Sequence, residues 1–135
     1  MGSRSLFVAD DREEALHLAD VGLRRAAARF AAAVLPGQAP RPGPQAPLAE
    51  LIAAYDVHVG TPDDVIASLQ ADTALARTTD IVFQVHSVDP PHEHILRSIE
   101  LTATQVAPAL GWVRKPVSVP ATLAPSPAER TPEPA

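Results

Sequence analysis

The chain has 135 residues, enough for one domain, and its 46% hydrophobic and 20% charged residues suit a globular segment rather than a disordered one. A net charge of −5, with no basic face and no aromatic ladder, argues against nucleic-acid binding, and the absence of cysteine excludes disulfides and thiolate chemistry. No apolar run approaches the roughly 18 residues of a membrane span, and Asp10 and Asp11 interrupt the N-terminal apolar stretch before it becomes a signal-peptide core, so the expected compartment is the cytoplasm.

Residues 5–9 form a short apolar run that reads as a strand. Asp11 precedes Glu14 at capping-box spacing, which starts a helix. Leu16, Ala19, Leu23, Ala26, Phe30 and Val34 then recur every three or four residues and predict one apolar stripe, ended at Pro36-Gly37. Residues 36–47 hold five of the 15 prolines and residues 114–135 hold six, so both stretches are expected to be irregular or disordered. Residues 48–54 read as a short helix and residues 55–59 as an extended connector. Thr61, Pro62 and Asp64 supply an N-cap, a first helical residue and an N3 partner for a helix reaching about Ala76, with Val65, Ile66 and Leu69 inward. Residues 81–88 are apolar on both faces, the pattern of a strand covered on both sides in a parallel sheet, with Phe83 among its most buried residues. Asp89 is the expected cap of a last helix, with Pro90-Pro91 in its first turn, a stripe of Ile95, Ile99, Val106 and Leu110, and a kink or end at Pro108. Strands alternating with helices indicate an α/β fold, here with two clear strands.

The residues themselves offer little isolated chemistry. His92 and His94 lie two apart and point in different directions on a helix, so no metal site is expected, and His17 and His58 read as surface residues. Arg97 and Glu100 are spaced to pair on a solvent-facing helix surface. Ser87 and Ser98 lack the G-x-S-x-G elbow, and Gly60 stands alone rather than in a phosphate-binding loop.

Two boxes about thirty residues apart carry a resemblance. The first is Val59-Gly60-Thr61-Pro62-Asp63-Asp64-Val65-Ile66; the second is Leu96-Arg97-Ser98-Ile99-Glu100-Leu101, followed by Gln105-Val106-Ala107-Pro108. With the strand-like residues 5–9 before them and 81–88 between them, they resemble the C-terminal end of the luciferase-like monooxygenases. The resemblance spans residues 4–111, with residues 36–47 as a proline-rich insertion and 112–135 as a disordered proline-rich tail. It implies a partial TIM barrel within the α/β class, contributing only C-terminal strand–helix units; a full barrel has eight strands over about 250 residues. It further implies a flavin-dependent oxidoreductase that uses FMN, or the deazaflavin F420 in some relatives, and acts on a small-molecule substrate. Barrel sites gather at the carboxyl ends of strands, which makes His86 the candidate proton donor or acceptor and Gln84 and Ser87 candidate cofactor or substrate contacts. The flavin phosphate site of that family lies upstream of the matched region. The chain is therefore expected to be inactive alone and to work with a complementing N-terminal chain or as a homo-oligomer. The alternative is a non-catalytic interaction module that completes or regulates a partner chain through exposed sheet edges.

Overall fold

The structure, a computed structural model, describes residues 1–30, 40–85 and 88–113. Its centre is a three-stranded parallel sheet of β1 (Gly2–Val8), β2 (Val57–Gly60) and β3 (Ile81–Gln84), in the order β2-β1-β3. Ser5 to Val8 of β1 pair with β2, and Gly2 to Ser5 pair with β3, so the two outer strands are staggered along the central one. The stretch read as an extended connector therefore supplies a third strand.

Strand alternation sends β1 side chains to two separate cores. Phe7 and Ala9 face one side, under α1 (Arg12–Phe30) and α2 (Leu48–Ala54); Leu6 and Val8 face the other, under α3 (Pro62–Ala71) and α4 (His92–Leu101). Helices thus cover both faces. The expected α/β class holds as a small parallel sheet with helices, but no barrel closes. Consecutive barrel strands are neighbours and their inner face is filled by their own side chains, whereas here β1 separates β2 from β3 and both faces carry helices.

Local signals are obeyed where partners are close in sequence. Gly60, at φ 144°, delivers the chain into α3, and the Thr61 and Asp64 side chains form the expected capping box. The helix stops earlier than expected, at Ala71, because the Asp72 carboxylate accepts from the N–H groups of Ala74 and Leu75 and turns the chain into a 3₁₀ turn, Leu75–Arg77. In α1 the buried face is Ala15, Ala19, Gly22, Leu23 and Ala27, while Phe30 is exposed; Val34 lies outside the described residues. The small-residue face wins because α1 packs on backbone: a Cβ at Gly22 would lie 1.5 Å from the Val88 carbonyl oxygen.

Further expectations change. The strand at 81–88 is shorter, ends at Gln84 and lies at the sheet edge; Ile81 and Val82 are exposed and Phe83 is only half-buried. Its apolar run reports compatibility with burial, but nothing among the described residues pairs with its outer side. Asp89 does not cap α4, which begins at His92 with no side-chain cap; Asp89 pairs with Arg25 instead. The inward residues of the last helix are Ser98, Leu101 and Val106, with Ile99 exposed. Around Pro108, which has no N–H to donate, the helix widens into a π turn, Thr102–Val106, before a short α5, Ala107–Ala109. Finally, residues 40–47 of the proline-rich insertion are irregular yet held: the Arg24 guanidinium donates to the carbonyls of Pro44 and Ala46 at 2.6 and 3.2 Å. Residues 36–39 and all but the first two of the proline-rich tail lie outside the described residues. No described helix is long and apolar enough to cross a membrane.

Candidate functional site

Of the residues singled out from the sequence, Gln84 ends β3, exposed and opposite Ser5 of β1. His86 and Ser87 lie outside the described residues. His92 is exposed, and His94 faces Glu14 at 3.9 Å with no third ligand among the described residues. Arg97 and Glu100 pair at 2.7 Å as their spacing requires, and Arg97 also reaches Asp10 at 2.7 Å.

In open α/β sheets, ligands bind beyond the carboxyl ends of the strands where the strand order reverses. In this sheet a side chain of α4 reaches that end of the central strand. The β1 N–H groups that face β3 begin with Gly2, bonded to Asp80, and those that face β2 end with Ala9, bonded to Gly60. Strand β3 pairs with β1 only as far as Ser5. Ser98 of α4 bonds to β1 further along: its fully buried hydroxyl accepts from the Val8 N–H at 2.9 Å. The Arg97–Asp10 pair lies one residue along the helix from this bond.

A second constellation lies at the opposite end of the strands. Arg4 of β1 donates to Asp72, just after α3, at 2.6 Å and faces Asp56, just before β2, at 3.1 Å. His58 of β2 is 6% exposed, contrary to its reading as a surface residue. Its Nδ1 is 2.7 Å from the Ser68 hydroxyl, and its Nε2 faces Asp72 at 3.6 Å, too long for a hydrogen bond. Burial pushes the imidazole below its ordinary pKa against the pull of Asp56 and Asp72, and the Arg4 guanidinium holds the Asp72 carboxyl down at about 2. Asp56, His58 and Asp72 are grouped closely enough to suggest metal ligands, a cluster that histidine spacing could not reveal. Arg4 already supplies its cation. The order Ser68, His58, Asp72 also resembles a nucleophile–base–acid series. Ser68 sits inside α3, however, where backbone N–H groups are spent on the helix and none is left to hold an oxyanion. The cluster acts as a lock joining β1, β2 and the end of α3.

The outer edge of β3 is the third feature. Beside it runs a groove of about 1080 Å³ lined by Phe83, Thr102, Ala107, Leu110, Trp112 and Val113, among others. Ile81 and Val82 are 37% and 45% exposed, and Trp112 and Val113 54% and 78%. Comparison with known protein families and with curated proteins finds no match to this chain.

Proposed function

We propose that this chain is a non-catalytic interaction module that completes its sheet by edge-to-edge pairing of β3 with β3 of a second copy. The carrying observation is the exposure of Ile81 and Val82 on a strand whose outer side has no partner among the described residues. Natural edge strands are usually blunted by charge, proline or bulges. The sequence Ile81-Val82-Phe83-Gln84 has none of these, so nothing on the strand repels its own copy. A two-fold pairing needs a self-complementary patch, and a strand edge is one, because its backbone donors and acceptors match their own reverse. The test is molar mass by light scattering across a concentration series. A dimer is expected, and Val82→Lys should convert it to a folded monomer; a parent chain that stays monomeric at about 100 μM would refute the reading, since that concentration exceeds the Kd of a roughly −6 kcal/mol contact.

A second reading keeps the luciferase-like resemblance, with the chain as the C-terminal piece of a flavin-dependent monooxygenase. It is favoured by the way the two boxes fall: Gly60-Thr61-Pro62 opens α3, and Leu96 to Pro108 forms the last helix after β3. In this reading FMN, or F420, and the substrate are held by a complementing chain paired to the same edge, and β1 and β2 exchange places to restore the consecutive order of a barrel. The flavin then binds the assembled pair. Saturable FMN binding by this chain alone, with a Kd below about 10 μM, would count against it.

A further inference from the structure

A cleft of about 670 Å³ opens between the second half of α1 and the turn joining α2 to β2, well apart from the β3 edge. Its size falls within the range of small-molecule sites, roughly 300–1,000 Å³. Arg25, Arg29 and Arg41 line it, so three of the 11 cationic residues of an acidic chain meet at one cavity. Two carboxylates line it as well: Asp89 pairs with Arg25 at 2.8 Å, and Asp56 shares Arg4, at 3.1 Å, with Asp72 at 2.6 Å. Arg29 and Arg41 are left without a carboxylate partner among the described residues.

The two guanidiniums are held differently. Arg29 projects one turn beyond Arg25 from the rigid α1. Arg41 lies over the ring of Tyr55, 5.5 Å from its centroid, a cation–π contact that restricts a long side chain in advance of any ligand. Ala26, Phe30 and the Tyr55 ring give the cavity an apolar wall beside this charge. Asp56 and Asp89 are also the two non-glycine residues with left-handed backbone among those described, at φ 52° and 49°. Such conformations persist where surrounding structure enforces them, and they cluster at ligand sites.

We infer that this cleft binds a small phosphate monoester with an apolar or aromatic body. Guanidinium forks suit the phosphoryl oxygens of a monoester, and Arg29 and Arg41 have no carboxylate partner among the described residues to compete with it. The apolar wall takes the organic part. The inference is independent of the dimer reading, because no residue of β3 takes part.

Calorimetric titration of the full chain with phenyl phosphate, inorganic phosphate and neutral benzyl alcohol tests it. At low salt, phenyl phosphate should bind with a Kd below about 1 mM, some tenfold tighter than inorganic phosphate, and the alcohol should give no saturable signal. Arg29→Gln and Arg41→Gln should each weaken binding about tenfold, and the double variant should abolish it, since each removes a charge-assisted contact. Arg77→Gln, on the exposed 3₁₀ turn outside the cleft, should leave the Kd unchanged. Both target arginines are exposed, so the variants should melt like the parent. Absence of binding up to about 10 mM (a free energy weaker than roughly −3 kcal/mol), equal affinity for inorganic phosphate, or an unchanged Kd in the double variant would each overturn the inference.

Discussion

His58 gives the sheet a built-in sensitivity to acid. The imidazole sits beside Ser68 with its Nε2 unbonded, and burial lowers its pKa in the folded chain. The unfolded chain, with His58 in water, therefore takes up a proton first as pH falls below 6.5, and stability should decline there. Asp72 works at lower pH with the same sign: its folded pKa of about 2 against an ordinary 3.8 gives stability that is fully present above 3.8 and lost as pH falls toward 2. Thermal melts should fall in two stages, and His58→Gln should flatten the upper stage while leaving the lower one; an unaltered upper stage would show that His58 is not the group responsible. Two single-atom contacts also carry weight. Ser98→Ala removes the only side-chain acceptor shown for the buried Val8 N–H and should cost about 2 kcal/mol in denaturant unfolding. Gly22→Ala drives a methyl into the Val88 carbonyl and should cost about 3 kcal/mol or prevent folding.

At the scale of elements, burial rather than hydrophobicity decides which aromatic matters. Phe7 of the central strand is fully buried, whereas Phe83 of the edge strand is half-buried. Phe7→Ala should cost about 4 kcal/mol and Phe83→Ala only about 1–2 kcal/mol, measured by chemical denaturation; the reverse ranking would contradict the strand order. Helix α1 shows a related effect. Ala19 and Leu23 of the stripe read from the sequence are buried, but the rest of the buried face is Ala15, Gly22 and Ala27 rather than the larger Leu16 and Phe30. Small residues let its axis approach the Val88 backbone. The last helix keeps its apolar contacts across Pro108 by inserting a π turn, within which Thr102 and Thr104 donate back to the carbonyls of Ser98 and Glu100. The turn brings Val106 into the same core as Leu101.

For the whole molecule, the order β2-β1-β3 sets what is open and what is closed. The central strand has partners on both sides and helices on both faces. At the carboxyl end, where α/β folds place their ligands, Ser98 bonds to β1 and Arg97 pairs with Asp10. Among the described residues the β3 edge and the arginine cleft remain open, and they predict different responses to salt. Phosphate binding in the cleft should weaken as ionic strength rises, because charges near the surface are screened over about 8–10 Å. Edge pairing through uncharged Ile81 and Val82 should not weaken with salt, and concentration-dependent molar mass at low and high salt separates the two.

The sequence by itself determined the features whose partners are neighbours along the chain. The Thr61–Asp64 capping box, the span of α2 and the Arg97–Glu100 pair were legible because three or four residues of spacing define each of them. Only the tertiary structure decided which strand lies at the centre, since alternation reports that a strand has two faces and says nothing about its lateral neighbours. The same limit hid the candidate sites. Arg4 meets Asp72 across 68 residues, and Ser98 meets Val8 across 90. Contacts at such separations follow from the register of β1 with its two neighbours. His58, alone in the sequence, becomes a buried member of a charged cluster because β2 pairs with β1 and sets its ring between Ser68 and Asp72.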